Sequence, residues 1–586
     1  MSALASLVRA YDRMAARGEV APPGYSQEKI GFLISLNDDG SVADQPIDLR
    51  LGEGKKKTVR LMAVPASFKR PGTSPKPFFL WDNSAFVLGV TASDGKNAAT
   101  RWSTFREFHL KHLQGTSDAG LASFLAFVRS WTPEEFASRG WPEEMKDQNI
   151  VFALERDRLS GQHIHDRPAA KALWARLTAA GDRTEAACLI TGERAPVARL
   201  HPAIKGVWGA QSAGGSIVSF NIDASESYGH KQGNNAPVSE AAAAAYTAVL
   251  NRFLERGSGH RIQVGDASTV FWAEAADDTQ ADEADALFAG FFGVDEKAES
   301  NKVGDILTRL REGRPIASFT DILPQGVQFH VLGLSPNAAR LSVRFYLEDD
   351  FGIIAERYLR HLARMRIDPP PREDNPSLWR LLIETAVLRK SENIQPNLAG
   401  EWLRAILSDT PYPLTLLTTL IMRMRADHDI GALRVAILKS ILIKNFGMEE
   451  EAPVSLNLAN RDKGYLLGRL FAVYEHVQWS ALGRNINATI KDKFYGAASA
   501  QPRKVFRLLD ASSMNHLSKI GKQKPGLRGK LENDIGGIME AMSPDDDPFP
   551  ASLPDKSQAL FALGYYHQRS TYFRKAETFE TEETPE

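Results

Sequence analysis

Residues 367–376 read Ile-Asp-Pro-Pro-Pro-Arg-Glu-Asp-Asn-Pro. Proline lacks a backbone donor and its ring clashes with the preceding turn, so such a cluster neither continues a helix nor sits inside a sheet. The chain is expected to change character there, from a mixed α+β domain over 1–367, through a proline-rich linker over 368–376, to an all-α domain over 377–586. Beyond the cluster, apolar residues recur at helical spacing over 378–388, 398–407, 414–425, 433–443, 465–482, 488–500, 503–519 and 527–542. Pro411, Gly447, Gly483 and Pro525 supply turns between them. The last of these segments read as a helical bundle. At 586 residues the chain is too long for one ordinary core in any case.

Before the cluster, β signals dominate. Residues 30–36 and 47–51 read as strands around the turn Asn37-Asp38-Asp39-Gly40, and 59–64 and 78–80 extend the β material. Residues 102–113, 121–128 and 168–180 read as helices, and 1–17 as an amphipathic one with Leu4, Leu7, Val8 and Tyr11 inward. Further on, 261–264 pairs with 269–273, 329–334 with 340–347 as a hairpin through Ser335-Pro336-Asn337, and 351–365 is a helix.

The stretch 204–253 stands apart because its middle lacks the apolar density of a core element. Gln211, Ser212, Gly214, Gly215 and Ser216 make a small polar turn expected to feed a strand over 217–220. Lys231, Gln232, Gly233, Asn234 and Asn235 make a second polar loop. It runs into Pro237, which suits a first helical position, and then a helix burying Ala242, Tyr246, Val249, Leu250 and Phe253. Glycine allows close backbone approach to a ligand, while Gln, Asn and Lys grip or read nucleic acid. Ordinary turn chemistry would use the same residue types, and the residues alone leave both readings open.

The formal net charge of -1 conceals segregated charge. Lys55, Lys56, Lys57, Arg60, Lys69, Arg70 and Lys76 stand between Gly54 and Trp81 without one acid. These bases either touch a nucleic-acid backbone or form a solvated run. No phosphate-binding loop is expected at Gly54-Lys55-Lys56-Lys57-Thr58, since Leu49 occupies the place of the upstream glycine. Between Ile490 and Leu531 ten Lys and Arg residues face only Asp492 and Asp510. Lys491, Lys493, Arg503, Lys504, Arg507, Lys519, Lys522 and Lys524 suit a groove that tracks a nucleic-acid strand.

Cys188 is the single cysteine, which rules out an internal disulfide and fits a reducing compartment. Thr191 takes the second thiol position of Cys188-Leu189-Ile190-Thr191-Gly192, so a buried structural cysteine is expected rather than zinc. No apolar run approaches a membrane span, and a cytoplasmic protein follows most simply. No catalytic constellation, metal site or cofactor is expected. His163, His165 and Asp166 come nearest, with Asp166 read as a helix N-cap, while His109 and His112 are placed on a wet helix face.

GAQSAGGSIVSFN followed by SYGHKQGNNAPVSE resembles the central motif of the large subunit of the type I-C CRISPR surveillance complex, Cascade. The opening PPGYSQEKIGFLISLNDDG, then KPFFLWDNSAFVLGV and CLITGERAPVARLHPAIKG, are similar in family order, and the likeness covers nearly the whole chain. The resemblance implies a non-catalytic subunit that reads a protospacer-adjacent motif (PAM) in duplex DNA, helps split the strands and guides the displaced one. It implies as partners the crRNA-bound backbone, 5'-handle-binding and small subunits and a recruited helicase-nuclease. Gln211, Ser212, Gly214, Gly215, Lys231, Gln232, Asn234 and Asn235 would then supply the PAM and strand-separating contacts. Lys55, Lys56, Lys57, Lys69, Arg70 and Lys76 would hold duplex phosphates, and the C-terminal bases would line the displaced strand. The helical end resembles the small subunit, which this family also makes from an internal start, for which Met448 is the candidate. A general single-strand-binding protein and a metal-dependent nuclease are the alternatives.

Overall fold

The computed structural model describes residues 2–52, 57–68, 70, 76–93, 97–179, 184–264, 266–291, 326–373, 376–483, 488–542 and 547–573. Small mixed sheets occupy the N-terminal part and helices fill the C-terminal half, an α+β region followed by an all-α one. The chain forms two compact units. The first comprises 1–206, 211–252 and 338–340, and the second 207–210, 253–337 and 341–586.

In the first unit a four-stranded sheet runs in the order Ile47–Asp48, Phe32–Leu36, Asn149–Leu154, Asp82–Asn83. Its two central strands are parallel, with Phe32 opposite Ile150 and Leu36 opposite Leu154. Parallel neighbours need a long crossover, and the helices Ala98–His112 and Ala119–Ser130 lie within it. Alternation then sorts the faces. Phe32, Ile34, Phe152 and Leu36 pack against Phe105, Phe124 and Phe127, while Leu33, Val151 and Ala153 pack with Ile30, Val64 and Trp81. The pair Tyr25–Ile30 and Arg60–Pro65 is antiparallel. The buried run Asn149–Leu154 gave no alternation to read, and its place at the sheet centre emerges only here. Residues 78–80, expected as strand, precede the short strand Asp82–Asn83 instead.

The second unit carries an antiparallel sheet, Arg340–Asp350, Gln328–Asn337, Ala267–Glu274 and Arg261–Val264 in order. Phe271, Phe329 and Phe345 from this sheet share one continuous core with Leu403, Leu438, Phe471 and Phe561 from the helices. Packing therefore divides the chain near 252, not at the proline cluster. That cluster is fastened into the second unit, where Asp368 N–H donates to the Val454 carbonyl at 2.8 Å and Tyr566 Oη to the Pro369 carbonyl at 2.7 Å.

The helices stop and start where local chemistry dictates. Gly447 and Gly483, at φ 63° and 77°, cap Ala432–Phe446 and Lys463–Leu482, and Pro525 opens Pro525–Glu540. Thr489 and Asp492 form a reciprocal capping box that starts Ile490–Ala500. Lys463–Leu482 and Asp555–Phe573 cross with almost no space between backbones. A Cβ on Gly468 would lie 2.0 Å from the Phe561 carbonyl oxygen, and one on Gly564 would lie 2.1 Å from that of Tyr465.

Candidate nucleic-acid interface

The two polar loops of the first unit rest on one extended segment. Ile204 and Gly215 exchange both backbone hydrogen bonds, at 2.8 and 2.9 Å. Gly214, at φ 85°, closes the turn with its N–H on the Gln211 carbonyl at 2.8 Å, and a Cβ there would meet the Ile204 carbonyl oxygen at 2.6 Å. Gly214 is thus required by packing within the chain and Gly215 is buried in the bridge to Ile204, which leaves Gln211 and Ser212 as the exposed polar side chains of this loop. The strand expected over 217–220 does not form; among the described residues, the pairings near it are single bridges at Gly215 and Ser216.

The second loop sits on Ala198 and Arg199. Gly233 donates to the Arg199 carbonyl at 3.2 Å, and a Cβ on it would lie 1.9 Å from the Ala198 carbonyl oxygen. Asn235 is spent inside the loop, donating to the carbonyls of His230 and Gln232 at 3.1 and 2.9 Å and accepting from Ser227 N–H at 3.0 Å. Gln232 takes a positive φ of 47° at the head of the short turn Gln232–Asn235. The helix that follows begins at Glu240, not at Pro237, because Ser239 Oγ accepts from Ala242 N–H at 3.2 Å. Lys231, Gln232 and Asn234 present side chains with no hydrogen bond or ion pair among the described residues. Tyr228, which residue-by-residue reading passed over, is 99% exposed at φ 54° beside them. An aromatic ring held fully in water on a strained backbone is the one signal that marked it.

Both loops are therefore anchored on residues 198–204. The six Cα steps from 198 to 204 reach at most about 20 Å, which bounds the separation of the two anchors. The supporting segment is itself fixed to the Glu240–Phe253 helix, through His201 Nδ1 to Tyr246 Oη at 2.6 Å and Asn251 Oδ1 accepting from Lys205 N–H at 2.7 Å. Cys188 is buried beneath, its Sγ accepting from Ser239 N–H at 3.2 Å. Burial pushes the thiol up, but hydrogen bonds from Ser239 and Thr191 outweigh it and bring the pKa down to about 7.

The N-terminal bases do not act alike. Lys55, Lys56 and Lys69 lie outside the described residues. Lys57 is bound to Asp48, which also holds Arg50, with Nζ and Oδ2 2.7 Å apart. Arg70 pairs with the buried Asp82, stacks over Phe78 at 3.8 Å and Phe86 at 3.9 Å, and donates to the Lys76 carbonyl at 2.8 Å. Its role is to neutralise a carboxylate inside the fold, because a buried charge must be paired. Lys76 is exposed and makes no ion pair among the described residues.

In the second unit, Pro502–Gln523 buries Val505, Phe506, Leu509, Leu517 and Ile520. The opposite face carries Lys504, Arg507, Lys519 and Lys522, with Lys493 and Lys524 on the adjoining segments, all exposed and without ion pairs among the described residues. Lys504 and Lys522 share one meridian about 27 Å apart along the axis. Arg503 is bound to Asp547 at 2.6 Å, and Lys491 stands 4.0 Å from Asp492.

His109 is fully buried rather than on a wet face. Its ring satisfies Leu80 N–H at 2.9 Å and the Phe105 carbonyl at 2.8 Å, and burial holds its pKa down at about 3. Asp166 is not the cap of Pro168–Ala179; the Arg167 carbonyl takes the first helical bond, from Lys171 N–H at 3.0 Å. Its carboxylate instead accepts from His163 Nδ1 at 3.0 Å.

The match of a family model over residues 7–573 places the chain among the CRISPR-associated proteins. The chain belongs to the CRISPR-associated protein (Cas_Csd1) family and is a Cascade subunit. No curated protein matches it. Among the described residues no helix is long and apolar enough to cross a membrane.

Proposed function

We propose that this chain is the non-catalytic large subunit of a type I-C crRNA-guided complex, and that residues 211–212 and 228–234 read the PAM in duplex DNA. The observation that carries this reading is the common anchoring of two amide-rich loops on one short segment, with Gln211, Lys231, Gln232 and Asn234 left unpaired by the fold. Amides and a lysine suit the acceptors on base edges, and two loops anchored on one short segment suit a short motif. Tyr228 would stack on a base as the strands part. The guide reads the rest by pairing, and the protein supplies the adjacent motif and backbone contacts. The cation face of Pro502–Gln523 would follow the displaced strand, beside crRNA-bound backbone, 5'-handle-binding and small subunits, before a helicase-nuclease is recruited.

Met448, directly after the capping Gly447, is the proposed start of a separately made small subunit. Replacing its codon with one unable to initiate should abolish a short second product. The decisive experiment reconstitutes the complex with its guide and measures binding to duplexes that differ only in the flanking motif. Binding should depend on guide and flank, and Gln211→Ala or Asn234→Ala should weaken only the motif-bearing duplex. Binding indifferent to both would reduce the chain to a general single-strand-binding protein.

A further inference from the structure

His163, His165 and Asp166 are brought together on a turn that the proposed DNA contacts do not use. Ile164 is buried in the core and anchors it, Tyr25 Oη donates to the His165 carbonyl at 2.8 Å, and Arg167 is clamped to Asp118 and Asp157 at 2.8 and 2.7 Å. The two imidazoles lie nearly parallel, their centroids 5.1 Å apart and planes 10° apart. His165 is 0% exposed; its ring leans on the backbone of Ala63 outside ideal hydrogen-bond geometry, and the nearest side-chain oxygen, of Asp166, is 3.8 Å from Nε2, so a ring lone pair has no donor. A buried, unsatisfied imidazole costs free energy unless something fills its lone pair.

One potential ligand atom from each of the three side chains lies within 4.8 Å of the other two. His163 Nδ1 is 3.0 Å, and His165 Nε2 3.8 Å, from the same Asp166 oxygen. Ligands at zinc's usual 2.0–2.1 Å in a tetrahedron are about 3.3–3.4 Å apart, a value those two distances bracket. His163 and Asp166 retain partial exposure, 17% and 36%, so a modest rotation at the solvent edge closes the widest gap and leaves a fourth position for water. Arg167 does not compete, since its guanidinium is already held by two other carboxylates.

We propose that His163, His165 and Asp166 bind one divalent zinc ion, which pins the 163–167 turn beside the strands Tyr25–Ile30 and Arg60–Pro65. His163 then carries its proton on Nε2 and gives Nδ1 to the metal, and the ion replaces the His163–Asp166 hydrogen bond. Two imidazoles and a carboxylate suit a borderline-soft cation better than magnesium or calcium, which take oxygen ligands. This site is independent of the DNA-reading proposal and of the guide.

The test uses metal-free full-length chain titrated with zinc sulfate against a chromophoric chelator, with cobalt(II) substitution read in the visible spectrum. The expected result is one equivalent bound, with tetrahedral cobalt bands. Affinity should fall at least about tenfold in His163→Ala and in Asp166→Asn, and the site should be lost in the double variant. Both residues are partly exposed, so these variants keep the fold, and circular dichroism checks that they do. Zinc bound equally by the double variant, or by wild type no better than by that variant, overturns the proposal.

Discussion

Replacing Arg70 with Met separates a structural cation from a DNA-binding one. Asp82 is 0% exposed and keeps two backbone donors, Phe78 N–H at 2.9 Å and Asn83 N–H at 2.8 Å, but Arg70 is its counter-charge. Removing one member of a buried ion pair costs about 3–5 kcal/mol, because the remaining charge stays desolvated. The lost contacts with Phe78 and Phe86 fall within that range instead of adding to it. Hydrogen exchange at Phe78 and Asn83 amides reads the loss locally, and 3–5 kcal/mol corresponds to roughly a hundredfold to a few thousandfold faster exchange. Pairing Arg70→Met with Asp82→Leu should recover much of the protection, since it removes both charges. Unchanged exchange in Arg70→Met, together with a weaker salt dependence of DNA binding, would refute the structural role and return Arg70 to the phosphate contacts.

Gly468→Ala should destabilise the second unit by at least about 2 kcal/mol in urea unfolding, because the added carbon meets the Phe561 carbonyl. Gly536→Ala, with nothing within 4 Å, should instead gain about 0.5–1 kcal/mol; equal effects would refute the close-crossing argument. Burial holds His109 and His361 down at about 3 and His567 at about 4, below the ordinary value of about 6.5. The unfolded chain binds these protons first, so stability is complete above about pH 6.5 and falls with pH toward those lower values. A urea midpoint flat from pH 7 to 5 would contradict this. Neutralising Lys519, Lys522 and Lys524 should lower the log-log salt slope of DNA binding by up to about 0.7 per contact on a single strand and about 0.9 on duplex. Unchanged slopes would make them a solvated face.

Local chemistry sufficed where a residue's role is set by its chain neighbours. Gly447, Gly483 and Pro525 mark helix ends whatever packs around them, and apolar periodicity placed the Phe351–Met365 helix and the antiparallel strands from Arg261 onward. The family motifs likewise pointed to a CRISPR-associated protein before any geometry was known. Roles set across the fold were hidden. Arg70 looked like one more surface base until Asp82 and two aromatic rings closed on it, and Lys57 until Asp48 did. His109 looked exposed because its partners, Leu80 and Phe105, lie on a distant loop and in the same helix. Gly214 and Gly233 suggested ligand approach but answer to carbonyls of the 198–204 segment. The proline cluster announced a break in secondary structure, yet the boundary between units follows burial, which joins the sheet of 261–350 to the helices. Sequence sets what each segment prefers over a few residues; only tertiary packing decides which charges are neutralised, which glycines are compulsory and which side chains remain unpaired at the surface.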